Sequence, residues 1–187
     1  MSGSGVAFQL LDGRQAAAHE RELAALHAEA CDAVPRDAVP RDAADGGGFA
    51  RRFGVWRRQP GFALAGAWHG AYLVGYACGF PLRPSTSWWK ELTTPLPPDV
   101  TAEHPGRTFA LTGLAVRAPW RRQGIGWSLY DLVMSGRAEE RATLTTAPGN
   151  TAAQHAFRSW GWQKIARTRG TAPDIPVLDV LLITLRS

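Results

Sequence analysis

An α/β architecture, a mixed sheet covered by helices, is what this sequence predicts, and three observations predict it. Short apolar runs bounded by Gly, Pro or Asp recur at strand length, and segments with helical apolar spacing alternate with them. Read along the chain, the elements come in the order β-α-α-β-β-β-α-β-α-β-β, which suggests a mixed sheet with helices on it. At 187 residues and 45% hydrophobic, the chain is long enough for one substantial core, so a single domain over residues 1–187 is expected.

Val6 to Leu11 is a short apolar run closed by Asp12-Gly13, a strand and its turn. Gln15 to Cys31 carries Ala16, Leu23, Leu26 and Ala30 at roughly helical spacing among charged residues, which makes one amphipathic helix. Then AVPRD occurs twice in succession, at 33–37 and 38–42. Two copies of five residues are too few for a solenoid, and Pro35 and Pro40 make this a loop that continues through Asp45-Gly46-Gly47-Gly48. Phe49 to Arg58 reads as a second helix with Phe49, Phe53 and Trp56 on one side, stopped by Pro60-Gly61. Phe62–Trp68 and Tyr72–Phe80 form a hairpin around His69-Gly70, where glycine supplies a positive φ. Pro81 to Pro105 is irregular. Thr108 to Val116 is an apolar strand that runs into RAPWRRQGIG, after which Ile125, Leu129, Leu132 and Val133 resume helical spacing. Ala142 to Ala147 is another strand. Pro148-Gly149-Asn150 leads to a helix with Ala153, Phe157 and Trp160 on one face, and Thr151 with Gln154 fits a capping box at its start. Gly161 ends that helix; Trp162–Thr168 and Val177–Leu185 are the last strands.

With 21 Lys plus Arg and 16 Asp plus Glu, the formal charge is +5, which suits a polyanionic partner. The arginines come in pairs (Arg51-Arg52, Arg57-Arg58, Arg121-Arg122) instead of in one run, which disfavours a general nucleic-acid binder. Cys31 and Cys78 have no C-x-x-C or His cluster beside them, so neither a disulfide framework nor a metal site is expected. No basic segment precedes a long apolar run, and no stretch of ~18 apolar residues occurs. A cytoplasmic protein without membrane contact is expected.

The segment from Arg121 to Gly126 carries the chemistry. A helix begins with N–H groups that have no partner inside it, and its dipole adds roughly half a positive charge there, so anions bind at such ends. Gly124 and Gly126 let the backbone approach a diphosphate, while Arg121 and Arg122 bring charge and forked donors. A dinucleotide-binding turn would need a third glycine three residues on, and a P-loop would need Gly-Lys-Ser/Thr; neither is present.

What remains resembles motif A of the GNAT superfamily of N-acetyltransferases, whose signature is Arg or Gln, two residues, Gly, one residue, Gly or Ala; Arg121 to Gly126 match it on the required strand and helix. A second family motif runs Asn, two residues, Ala, three residues, usually Tyr, three residues, Gly and an aromatic. It matches Asn150, Ala153, Phe157, Gly161 and Trp162. The resemblance covers most of the chain, and Pro81 to Pro105 is its least constrained part. It implies a central mixed, mostly antiparallel sheet with a splayed parallel strand pair, flanked by helices, and acetyl-CoA as cosubstrate. It also implies that backbone groups of Leu114, Ala115 and Val116 meet the pantetheine arm and that an N–H near Leu114 polarises the thioester carbonyl. Arg121, Arg122, Gln123, Gly124, Ile125 and Gly126 would hold the pyrophosphate, with Ser128 adding a hydroxyl and Asn150, Ala153 and Phe157 contributing from the second motif. Asn150 also fits a helix N-cap.

Two departures follow from the same resemblance. Relatives commonly place a glutamate base on the strand before motif A, where this chain reads Phe109-Ala110-Leu111-Thr112-Gly113-Leu114; Glu91, Glu103 and His104 are the substitutes, and each also fits an ordinary surface residue. Relatives also commonly have a tyrosine that protonates the leaving thiolate, where this chain has Phe157. Water, Tyr130, Ser159, the acceptor's own ammonium proton, or departure of the thiolate unprotonated are the alternatives. An ordinary lysine acceptor would need about 4–5 kcal/mol for deprotonation at pH 7. Trp68, Tyr76, Phe80, Trp88 and Trp89 fit either an aromatic wall for a cationic or flat amine or ordinary core packing. The expected activity is transfer of acetyl to a primary amine of a small molecule, or of a protein, by a possible homodimer. The alternative is a coenzyme-binding module with little or no turnover.

Overall fold

The structure is a computed structural model that describes residues 5–32, 46–169 and 177–185. The AVPRD repeat lies outside the described residues. Seven strands follow the hydrogen-bonded order β1-β2-β3-β4-β5-β7-β6. β4 and β5 are the parallel pair, and β1–β2, β2–β3, β5–β7 and β6–β7 are antiparallel. The parallel ladder is short: Thr108↔Arg141, Phe109↔Ala142 and Ala110↔Thr143. Leu111–Val116 and Leu144–Thr146 continue as strand without pairing to one another. The mixed, mostly antiparallel sheet with one briefly paired parallel couple agrees with the expectation. The chain divides into two compact units, which meet within β4 at Ala110/Leu111 along the sequence.

The first unit holds β1 (Val6–Leu11), α1 (Gly13–Ala17), α2 (Glu20–Asp32), α3 (Gly46–Trp56), β2 (Ala63–His69), most of β3 (Tyr72–Pro81), the later part of β4 (Thr108–Val116) and α5 (Ile125–Met134). Asp12 starts α1 by accepting from the N–H groups of Arg14 and Gln15, both at 2.8 Å, while Gln15 Oε1 accepts from Asp12 N–H at 2.9 Å. The single helix expected over Gln15–Cys31 is two helices. Ala18 and His19 donate three residues back, to Gln15 O and Ala16 O, and this tighter turn separates α1 from α2. α3 begins earlier than expected, because Gly46–Gly48 are helical instead of loop. Glycine disfavours helix by about 1 kcal/mol per residue, but Gly48, Phe49 and Phe53 are buried, and tertiary packing decides. The β2–β3 turn is Gly70-Ala71, one residue later than expected, with Gly70 at φ +59°.

The core of this unit is built by Leu23, Leu26, Phe49, Phe53, Leu64, Leu73 and Tyr76, all fully buried. Phe49 stacks on Phe53 (centroids 5.5 Å) and meets Tyr76 edge-on at 5.9 Å. His27 is drawn into the same cluster: its ring stacks on Phe49 at 4.5 Å, and its Nδ1 lies 2.9 Å from the Tyr76 hydroxyl. Burial, aided by the Arg52 charge, lowers the His27 pKa to about 4. Between pH 6.5 and 4 the unfolded chain therefore binds a proton that the folded chain refuses, so stability falls as pH falls through that window. The full effect is about 3 kcal/mol. Urea titrations at pH 7 and pH 4.5 are expected to show this loss, and a His27→Gln variant is expected to lose less over the same range.

The second unit holds the first residues of β4, α4 (Pro98–Thr101), β5 (Arg141–Thr146), α6 (Thr151–Ser159), β6 (Gln163–Thr168) and β7 (Leu178–Thr184). The irregular segment expected over Pro81–Pro105 contains the single turn α4, begun by Pro98, and an isolated antiparallel bridge from Leu92 to Thr168 at the end of β6. β7 pairs with both β5 and β6, so the last strand is inserted between its predecessors. Phe109, Ala142, Leu144, Phe157, Trp162, Val180 and Leu181 are buried here. The capping box expected from Thr151 and Gln154 does not form. Asn150 caps α6 instead, accepting from Ala153 N–H at 3.2 Å, and the Gln154 amide donates to Ala147 O and to Asp179.

A buried polar cluster ties the segment before β4 to β5. Glu103 Oε1 accepts from Trp89 Nε1 (2.9 Å), Thr108 Oγ1 (2.9 Å) and Arg141 (3.0 Å). Arg141 also donates to Thr108 Oγ1 and Val100 O, and its guanidinium lies over the Trp89 ring. The Glu103 side chain is 1% exposed and that of Arg141 10%. All three bonds to Glu103 fall on Oε1, and Glu103 Oε2 is buried without a hydrogen-bond partner; removing either member of an ion pair this deep leaves the other uncompensated.

Candidate functional site

β4, the turn after it and α5 place the predicted anion cradle wholly in the first unit. Leu82 N–H bonds Thr108 O, and Arg117 N–H bonds Val74 O. Between these two bonds β4 advances nine residues while β3 advances eight, so β4 carries one extra residue, a bulge, on the way to Val116. Leu114, Ala115 and Val116 are half-buried. Arg117 then anchors the strand end: it is buried, its Nε donates to Leu73 O at 2.8 Å, its guanidinium lies 4.5 Å over the Tyr72 ring, and it pairs with Glu29.

A 3-10 turn, Ala118–Trp120, leads into the arginine pair. Arg121 Nε reaches back to Val116 O at 2.8 Å, and the Gln123 amide donates to Pro119 O at 3.0 Å. These two bonds fix the turn from inside. Arg122 has φ +61° and Gly124 φ +79°. Left-handed residues stand on both sides of Gln123, and left-handed turns of this kind are where successive main-chain N–H groups can form an anion-binding concavity. Among the described residues Arg122 is the only non-glycine with positive φ, a conformation that costs about 1–3 kcal/mol and is held where a site requires it.

Gly124 is the N-cap of α5 and offers no side-chain cap, and the first helical hydrogen bond runs from Ser128 N–H to Gly124 O at 3.0 Å. Ile125 and Gly126 therefore begin the helix with N–H groups that have no acceptor inside it. A Cβ on Gly124 would meet nothing within 4 Å, so the space over the turn is open. Arg121, Arg122 and Gln123 are exposed, Ile125 is buried as the first core residue of α5, and Gly126 and Ser128 are half-buried. A donor-lined, open, doubly cationic turn fits a diphosphate. The left-handed Arg122 is the one part of it that residue spacing could not reveal.

The remaining candidates are placed as follows. Asn150, Ala153 and Phe157 lie on α6 in the second unit. Phe157 is buried edge-on to Trp160 (5.5 Å) and Trp162 (5.8 Å), in helix packing. Glu103 is enclosed in the cluster described above, while Glu91 and His104 are exposed, with His104 Nε2 3.5 Å from Glu140. Tyr130 is buried, and Ser159 Oγ donates to Ala156 O at 2.7 Å. Of the aromatic set, Trp68, Tyr76 and Phe80 pack in or against the first core, and Trp89 is buried under Arg141.

A profile of the acetyltransferase (GNAT) family matches residues 23–162, three quarters of the chain. The chain belongs to this acetyltransferase family. No curated protein matches it, but solved structures do. Arabidopsis thaliana NAA60, in complex with a bisubstrate analogue, is 13% identical over 97% of this chain and 100% of that one, with a TM-score of 0.65. Salmonella typhimurium yncA, solved with its cofactor acetyl-CoA, is 14% identical over 98% and 96%, at 0.63. The ribosomal-protein-S18-alanine N-acetyltransferase of Escherichia coli is 14% identical over 98% and 96%, at 0.60. At these identities the likeness is one of fold. Acetyl-CoA is the acyl donor of the GNAT acetyltransferase family. Among the described residues no helix is long and apolar enough to cross a membrane.

Proposed function

We propose that this GNAT acetyltransferase moves acetyl from acetyl-CoA to a primary amine of a small molecule, and that the turn from Arg121 to Gly126 holds the coenzyme's diphosphate. The observation that carries the reading is the left-handed pair Arg122 and Gly124 at an uncapped helix start. In this reading the N–H groups of Gln123, Gly124, Ile125 and Gly126 donate to phosphate oxygens, Arg121 and Arg122 neutralise their charge, and Ser128 adds a hydroxyl. Acetyl-CoA supplies the acetyl group as an activated thioester. Leu114, Ala115 and Val116 offer main-chain groups along the pantetheine arm, and the extra residue in β4 supports giving the carbonyl-polarising role to a main-chain N–H near Leu114. Asn150 and Ala153 are assigned to the coenzyme from the second motif, with Asn150 keeping its capping bond.

We assign Glu103 a structural role, because its Oε1 serves three donors and its side chain is 1% exposed, although its buried Oε2 has no hydrogen-bond partner. With Glu91 and His104 exposed, the amine reaches the site as the free base, and its proton leaves to water. The log of kcat/KM for an alkyl amine is then expected to rise by about one per pH unit from pH 7 to 9, following the free-amine fraction. A plateau beginning near pH 7 would assign the proton to a residue instead. The test of the activity itself is release of CoA thiol across a panel of primary amines, with the acetylated product identified by mass. Phe157, packed as a helix hydrophobe where relatives commonly carry the acid, favours a second reading, a coenzyme-binding module with little turnover. Acetyl-CoA binding without amine-dependent thiol release would establish that second reading.

A further inference from the structure

The second unit contains a cavity of about 470 Å³ that the acetyl-transfer reading does not use, set between α6 and the β6–β7 pair. Its wall is organised by Asp179, which is buried, with both carboxylate oxygens engaged. Oδ1 takes Lys164 Nζ at 2.6 Å and Arg167 Nε at 3.0 Å, and Oδ2 accepts from the Gln154 amide at 3.1 Å. Asp179 is the only acid in the lining, against the cations Arg158, Lys164 and Arg167, so three positive charges less one negative leave an excess of two. Arg167 holds Asp179 through Nε, which leaves its terminal nitrogens for another acceptor, and Lys164 has three donors of which one is used. The side chains of Arg158 and His155, one helical turn apart on α6, are exposed and have no hydrogen-bond or ion-pair partner among the described residues. Trp162 and Leu181 add apolar surface to the same cavity.

From this arrangement we infer that the cavity is a binding site for a small molecule carrying a phosphate monoester. A dianion matches the excess charge. The Arg167 guanidinium, which Asp179 holds, and the Arg158 guanidinium on α6 each offer forked donors that suit a tetrahedral oxyanion. The volume lies in the ordinary range for small-molecule sites and has room for a body beyond the phosphate itself. The apolar surface gives that body something to pack against. Lys164 and Arg167 are 44% and 53% exposed at their side chains, but their bonds to Asp179 fix them, so of the three cations only Arg158 is left for the ligand to order.

Calorimetry on the full chain, with saturating acetyl-CoA occupying the Arg121–Gly126 turn, tests this with AMP, inorganic phosphate and adenosine as probes. AMP is expected to bind once per chain with Kd below about 1 mM, phosphate more weakly, and adenosine without measurable heat. Arg158→Ala and Lys164→Gln are each expected to weaken AMP at least about tenfold, since each removes a charge-assisted contact. Arg121→Ala is expected to leave AMP binding unchanged. Arg158 makes no contact that the fold depends on, and circular dichroism of the variant checks this. The proposal is overturned if neither AMP nor phosphate binds at millimolar concentration, if Arg121→Ala removes binding that Arg158→Ala retains, or if a short single-stranded oligonucleotide binds this patch more tightly than AMP does.

Discussion

Replacing Gly124 with Asp is expected to raise the Kd for acetyl-CoA at least about a hundredfold while the chain stays folded. A unit charge 4 Å from another in an environment of effective dielectric ~20 contributes about 4 kcal/mol, and here it would oppose the diphosphate. The fold survives because a side chain at this position meets nothing within 4 Å. Asp also tolerates the left-handed region better than most residues, at a cost of roughly 1–2 kcal/mol. Gly124→Asn is the control: it matches the shape and left-handed tolerance of Asp without the charge, so its affinity loss is expected to be no more than about tenfold. Calorimetry with acetyl-CoA and a thermal melt of each variant decide the matter. Equal losses in the two variants would mean that strain, not phosphate repulsion, is responsible.

Glu103→Gln is expected to lower stability by about 3 kcal/mol, within the range for removing one partner of a buried ion pair. Arg141, 10% exposed at its side chain, would then keep its charge without a carboxylate. For a chain of 187 residues this corresponds to a Tm lower by roughly 6–12 °C. Turnover per folded molecule is expected to change less than twofold. A general base would behave in the opposite way, since its loss commonly costs 10²–10⁴ in rate with little effect on the melt. Thermal denaturation and kcat on the same preparation separate the two roles.

The part of the site that lies along one strand, one turn and one helix was legible in the sequence. Apolar spacing defines β4 and α5, and the glycines and arginine pair between them have local meaning: an unpartnered helix start that attracts anions. Features set by distant partners were not legible. Glu103 looks like a spare acid until Trp89, Thr108 and Arg141 are seen around it, and the last of these is 38 residues away. Gln154 looks like half of a capping box until Asp179, 25 residues on, takes its amide. The break between α1 and α2 has no Gly or Pro to mark it, and the helical Gly46–Gly48 run against intrinsic preference because burial of Phe49 and Phe53 outweighs it. The insertion of β7 between β5 and β6 is a pairing choice that strand periodicity does not carry. The left-handed Arg122 belongs with these: a residue type does not announce its φ.

The most direct measurement of the account is an amide ¹H–¹⁵N spectrum of the protein titrated with acetyl-CoA. The resonances of Gln123, Gly124, Ile125 and Gly126 are expected to move downfield together as their N–H groups take phosphate acceptors, saturating at one coenzyme per chain. If acetyl-CoA binds and these four amides stay where they were, the turn is not the diphosphate site.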